Sequence, residues 1–220
     1  MGRVTARKIR TRAKLIAAAH KLMSDQGVDR TTIQQITDEA DIGFGTFYSY
    51  FQSKDEIAEK VLDCVIHNLG QRNRMANQQE GVTDPVAVIG NSVRLTAHEM
   101  LSDPMWHWWL KRTDLMVRRM NIGFRSFGLE DMRVAHDAGH LNLPGNDVAA
   151  GWSYLIWLLA GTITDITDGV SAPTSVSTMA EAIMRVLGVD AQHAASVAAA
   201  PLPQFPALKV DFNFSLNEDA

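Results

Sequence analysis

The chain has 220 residues, 46% hydrophobic and 21% charged, which excludes a disordered polymer and allows one large domain or two small ones. Its formal net charge is −4, which speaks against nucleic acid only if the charge is evenly spread, because the field a phosphate backbone meets is local. A single cysteine, Cys64, excludes an intramolecular disulfide framework and fits a reducing compartment.

The charge is not evenly spread. The first 30 residues hold Arg3, Arg7, Lys8, Arg10, Arg12, Lys14, Lys21 and Arg30 against Asp25 and Asp29, a sum of +6, so the other 190 carry −10. That asymmetry fits a nucleic-acid-facing end on an acidic body, and equally a solvated basic helix start. No apolar segment follows the basic start, so no secretory leader is expected. The most apolar run, residues 148–164, is short for a membrane span, is interrupted by Gly151, Ser153 and Gly161, and has no basic flank. It reads as a buried helix, and the protein as cytoplasmic with no membrane partner.

Apolar spacing predicts a helix over 7–26, ended by Gly27, and a second over 32–40 with a threonine cap. Asp41-Ile42-Gly43 reads as a tight turn before a third short helix over 44–50. Ser53 and Glu56 match a capping box that opens a long helix. Further helices are expected over 85–100, in a Trp-rich stretch after Pro104, and over 113–138, 147–168, 174–187 and 190–199. No period-2 strand is evident before residue 201, so the fold class is all-α. Residues 1–52 form an N-terminal three-helix unit, 53–200 a helical bundle joined to it by the long helix, and 201–220 an extended tail. In that tail three prolines precede Val210, Phe212, Phe214 and Leu216. It is either a loose end or a segment docked in a groove.

Residues 32–51 form a helix-turn-helix candidate. Ile33, Ile36 and Ala40 face Phe47 and Phe51 across a small core, which leaves Phe44, Thr46, Tyr48 and Tyr50 for phosphates or base edges. Gly43 and Gly45 allow close backbone approach at a cost in helix propensity. Arg7 and Arg10, with their basic neighbours, add a sequence-independent attraction to DNA.

The stretch TTIQQITDEADIGFGTFYSYFQSKDEI, residues 31–57, resembles the DNA-binding signature of TetR-family transcriptional regulators. The resemblance implies that residues 44–50 are the recognition helix in the major groove. It further implies that Gln34 reaches a base edge and that Thr32 and Lys54 hold phosphates. Two positions depart from the family pattern: Asp41 stands where glycine is usual, and Gly43 where a capping serine is common. The family's function would be that of a ligand-responsive regulator, here a repressor, bound to a palindromic double-stranded operator as a homodimer and released by a small molecule. The alternative is a helical ligand-binding protein or activator without repressor activity. No acid–base or nucleophile constellation suggests an enzyme, and no cofactor is expected.

All five tryptophans lie between residues 106 and 157, near a cluster of methionines. They are either plain core or an adaptable apolar pocket, and the resemblance favours the pocket. Its expected lining is Met100, Trp109, Met116, Met120, Phe124, Trp152 and Ile156, with Arg119 as a polar anchor, for a largely apolar effector. The expected dimer interface uses Leu155, Leu159 and Ile163 on one helix and Val176, Met179, Ala180, Ile183 and Leu187 on the next. His136 and His140 have metal-compatible spacing but no further ligand, so no metal is assigned.

Overall fold

A computed structural model describes residues 3–215, with side chains from residue 6 onward. All regular structure among them is helical: α1 (Arg3–Gln26), α2 (Ile33–Glu39), α3 (Phe44–Phe47), α4 (Lys54–Gln79), α5 (Pro85–Ser102), α6 (Pro104–Leu110), α7 (Thr113–Gly123), α8 (Glu130–Asp137), α9 (Val148–Thr167), α10 (Ser175–Val186) and α11 (Ala191–Ala199). Helices α1–α3 form the N-terminal unit. The remaining helices pack into the bundle, and α4 belongs to both.

Local chemistry accounts for these boundaries. The α1 helix ends at Gly27, whose φ of 82° suits glycine. Thr32 caps α2 reciprocally: its hydroxyl accepts from Gln35 N at 3.2 Å, while Gln35 Oε1 accepts from Thr32 N at 2.9 Å. Asp41 closes the next turn at φ 54°, which places the departure from the family pattern within the left-handed region that Asp tolerates. The α3 helix is a single turn, shorter than the apolar pattern predicts. Tight turns take over, with Tyr50 N donating to Phe47 O at 2.9 Å, so the glycine at 45 sits in a minimal helix. Ser53 caps α4, accepting from Glu56 N at 3.1 Å. Glu56 in turn reaches one residue further back than a capping box requires, accepting from Gln52 N at 2.6 Å.

The helix expected over 113–138 is broken. Between α7 and α8 the chain makes a π-helical turn, Arg125–Leu129. Such a turn inserts one residue and re-aims its neighbours. Here it brings Gly128 against the Trp152 ring and Phe127 against Gly70, at separations where either glycine could not carry a Cβ.

Residues 201–215 have no regular structure, yet they lie along α4 as a strap. Arg72 stacks its guanidinium 3.8 Å over Phe205 and donates from Nε to Pro206 O at 2.9 Å. Asn68 Nδ2 donates to Leu208 O at 3.1 Å, and Phe214 stacks on His67 at 3.8 Å. Phe212 meets His20 of α1 at 5.4 Å, so the strap touches both the bundle and the N-terminal unit. Leu216 lies outside the described residues. Burial holds the pKa of both His20 and His67 below the ordinary value, against smaller upward pulls from Asp103 and Asp211 respectively. A histidine with a depressed folded pKa contributes stability above its unfolded value, near about 6.5, that is lost as pH falls through the folded one. Acidification from about pH 7.5 to about pH 5.5 should therefore loosen the strap first. Hydrogen exchange of residues 204–215, corrected for intrinsic rates, should accelerate relative to α5. Unchanged protection would contradict the docking, and His67→Phe should weaken the response.

Candidate functional site

The first candidate surface is the outer face of the N-terminal unit. Ile36, Ala40, Phe47 and Phe51 are buried together, with Phe47 and Phe51 rings 5.7 Å apart. That closure pushes Phe44 and Tyr48 outward to 45% and 53% exposure, and their rings meet edge to face at 5.7 Å. Gly43, Gly45 and Thr46 are exposed beside them, while Tyr50 is half-buried against the core. Thr32 and Gln34 are exposed at the start of α2, where Gln34 Nε2 donates to Asp38 at 2.7 Å. Arg7, Lys8 and Arg10 are exposed along α1, whereas Arg12 rests 5.5 Å above the Phe51 ring. Lys54 is tied down: Nζ donates to Val28 O at 2.9 Å and Asp29 O at 3.2 Å. It braces the α1–α2 turn, and these two bonds leave one ammonium proton for another partner. The side chain of Arg3 lies outside the described residues.

The second surface is internal. Between α4, α5, α9 and the π-helical turn lies a small cavity of about 50 Å³. Its walls are mostly apolar, including Ile89, Val93, Phe124, Phe127, Trp152 and Ile156. Its polar groups are Asn73, Arg74, Ser92, Thr96 and Asp131. Burial pushes the Asp131 carboxyl pKa upward against the pull of Arg74, while Arg74 itself lies 4.9 Å over the Phe127 ring.

Of the residues expected to line a pocket, Phe124, Trp152 and Ile156 lie on the cavity wall. Met100 of α5, Trp109 of α6 and Met116 and Met120 of α7 are fully buried in the core but are not on that wall; α6 packs on α1 and α7, and α7 on α4. Arg119 is not on that wall. It pairs with Glu59 at 2.5 Å and Asp63 at 3.4 Å, joining α7 to α4. Asp63 also meets Lys60 at 3.4 Å, and its carboxyl is driven above the ordinary pKa by burial, opposed by Arg119 and Lys60. Asn73, Thr96, Phe127 and Asp131 lie outside the tryptophan and methionine cluster that marks the pocket in the sequence. A signal for the first existed: Asn73 and Asn77 extend the apolar stripe of Ile66 and Leu69 at helical spacing, and an amide on a core stripe needs partners.

The expected interface residues are buried within the chain itself. Leu155, Leu159, Ile163, Val176, Met179, Ala180, Ile183 and Leu187 are each at most 5% exposed within one chain, where α9, α10 and α5 pack together. The opposite face of the same two helices carries the available apolar area: Tyr154 and Trp157 at 52%, Leu158 at 39% and Val186 at 48% exposure. Gly161 lies in that face with nothing within 4 Å of a would-be Cβ, whereas Gly151 is spent internally against Leu143 and Met132.

Cys64 is buried and its thiol pKa is pushed up to about 12, first by burial and then by Asp63, which makes it a poor nucleophile. Among the described residues no three metal-ligating side chains converge; His136 instead faces Asp137, and His140 packs 6.1 Å from His193. No helix among them is long and apolar enough to cross a membrane.

Comparison with known proteins matches both halves of this architecture. Residues 15–61 fit the family model of bacterial regulatory proteins of the tetR family, and residues 84–200 fit the tetracyclin repressor-like C-terminal domain. The chain is 40% identical over 82 residues to the HTH-type transcriptional regulator HbdR of Aromatoleum sp. (strain CIB), covering 37% of this chain and 35% of HbdR. It is 29% identical over 93 residues to the HTH-type transcriptional regulator TtgR of Pseudomonas putida, covering 42% of this chain and 44% of TtgR. These alignments thus span less than half of the relatives' length. Among solved structures, RolR in complex with resorcinol superimposes with a TM-score of 0.81 at 26% identity, covering 91% of this chain and 100% of that one. RolR without ligand gives 0.78 at 25% identity, covering 89% and 100%.

Proposed function

Since the chain belongs to the TetR family of bacterial transcriptional regulators, we propose that it is a cytoplasmic, effector-responsive repressor rather than an enzyme, holding a palindromic operator as a homodimer. The observation that carries this reading is the run of α4 from the reading face to the cavity. Its first residue, Lys54, braces the α1–α2 turn, and Gly70, Asn73 and Arg74 form part of the cavity wall. At 1.5 Å per residue those ends lie about 24–30 Å apart on one rigid helix. Whatever moves the cavity wall moves the reading head.

The reading face supplies Phe44, Thr46, Tyr48 and Tyr50 to the major groove, with the exposed backbone of Gly43 and Gly45 beside them. Thr32 and Gln34 flank that groove, while Arg7, Arg10 and the remaining ammonium proton of Lys54 meet phosphates. The effector is a small, largely apolar molecule of about one ring. The cavity at rest has room for only a few waters, so a ring must push its walls outward, and that push is the differential contact that shifts the DNA-binding equilibrium. The resorcinol held by RolR has this size and supports the choice.

A second copy covers the outer face of α9 and α10. Tyr154, Trp157 and Leu158 beside Gly161 on α9, and Val186 on α10, supply exposed apolar area for it, and a two-fold operator needs two reading heads. Trp157→Glu tests this reading. The wild-type chain should scatter light as a dimer at micromolar concentration. The variant should scatter as a folded monomer and lose at least about tenfold in operator affinity, since it forfeits the second half-site. A monomeric wild type, or an unchanged variant, would contradict the interface.

A further inference from the structure

The α4–α5 contact inside the bundle is a ladder of amides. Asn91 Nδ2 donates to Asn77 Oδ1 at 2.9 Å, and Asn77 Nδ2 donates to Asn73 O at 3.0 Å. Asn73 Nδ2 donates to Thr96 Oγ1 at 2.9 Å and faces Ser92 O at 3.4 Å. That carbonyl can only accept, which fixes the amide with its nitrogen toward α5. Asn73 Oδ1 is then left without a partner on a residue only 6% exposed. Buried acceptors are rarely unpaired, and each exception calls for an explanation.

Asn73 lines the cavity together with Ser92 and Thr96, and around this polar corner the wall is apolar, including Phe124, Phe127 and Trp152. We infer that Asn73 Oδ1 is the specificity-determining acceptor of the effector cavity, and that the effector is a single-ring compound bearing a hydroxyl donor. This rests on the cavity being the effector site and adds which chemistry it selects. A ring that brings a donor satisfies the acceptor. A ring of equal shape without one displaces whatever water solvates Oδ1 and strands it, so the site discriminates against plain hydrocarbons. Neighbouring Asp131, at the same wall, offers a second polar group for a further ring substituent.

The test uses the full chain and two probes of nearly equal shape, resorcinol and m-xylene, with binding followed by calorimetry. The wild type should prefer resorcinol by roughly 10- to 100-fold. Asn73→Leu, similar in volume, should abolish that preference, resorcinol losing and m-xylene gaining, while Asn73→Asp keeps an acceptor and the preference. Circular dichroism and melting establish that each variant is folded; should Asn73→Leu fail to fold, the wild-type ratio and the Asn73→Asp variant still decide. Equal affinity of the wild type for both rings, or an undiminished preference in folded Asn73→Leu, overturns the role of Asn73 and leaves the effector site standing. Binding of neither ring overturns the single-ring effector and this inference with it.

Discussion

Gly188→Ala should be the most damaging single methyl that can be added to the bundle, lowering stability by about 3 kcal/mol or more. Gly188 follows α10 at φ 82°, a conformation that costs an L-residue roughly 1–2 kcal/mol. Its added Cβ would also fall on the backbone of Asn142, within 2.6 Å of the Asn142 N and C atoms. That segment cannot retreat easily. Asn142 N donates to Leu187 O at 3.2 Å, and the neighbouring Leu141 and Leu143 are buried. Overpacking of this kind adds about 1–3 kcal/mol. For a chain of this length the sum corresponds to a loss of roughly 6–12 °C in Tm. Gly27 is the internal control, because it shares φ 82° but has nothing within 4 Å of a would-be Cβ. Gly27→Ala should cost only the backbone contribution, about 1–2 kcal/mol. Equal losses for the two variants would show that the approach of the α10 terminus to the α8–α9 connection does not matter.

Asp63→Ala should cost about 3–5 kcal/mol, the range for removing one partner of a buried ion pair. The Asp63 side chain is fully buried and that of Arg119 is 10% exposed, so the guanidinium would keep its desolvation while losing one of the carboxylates that compensate it. The pair lies between α7 and α4, so its loss should also loosen the lever between cavity and reading head. Replacing both partners, Asp63→Ala with Arg119→Met, should recover most of the loss, because the uncompensated charge is gone. Denaturant unfolding measures both variants. A single variant within about 0.5 kcal/mol of wild type would mean that the pair is structurally idle. The pH dependence carries a definite sign. Burial outweighs the pull of Arg119 and Lys60 and raises the folded pKa of Asp63, so the protonation-linked part of its contribution is fully present below the unfolded value, near about 3.9, and is lost as pH rises through the folded one; the cost of deleting the side chain at neutral pH is that of the stranded Arg119 charge. Asp63→Asn, which cannot ionise, should lack that component.

The N-terminal unit was legible residue by residue because its signals are local. Thr32, Gly27 and Ser53 act on the backbone within four residues of themselves, and Phe47 and Phe51 are neighbours on one turn. The length of α3 is one exception, and Lys54 is another: its carbonyl partners are 25 and 26 residues away, beyond any local pattern. In the bundle, helix positions could be read and helix faces could not. An α9 that is apolar on several sides offers two stripes, Leu155–Leu159–Ile163 and Tyr154–Trp157–Leu158, and spacing alone does not say which one the same chain covers. The π-helical turn was invisible for a related reason. What holds it is the fit of Phe127 on Gly70 and of Trp152 on Gly128, contacts distant in sequence. The cavity followed the same rule, and its polar corner is carried by asparagines on a core stripe rather than by the tryptophans and methionines that draw the eye.

The central claim, that this chain is a sensor that reads DNA, is most directly tested by fluorescence anisotropy on a duplex from its own upstream region. Two protomers should bind per palindrome, more tightly than to a scrambled duplex. Affinity should fall with log salt at a slope of about −5 if Arg7, Arg10 and Lys54 of each protomer meet phosphates. Resorcinol or a related hydroxylated ring should weaken that binding. Affinity equal to that for the scrambled duplex, with no response to salt, would contradict the claim.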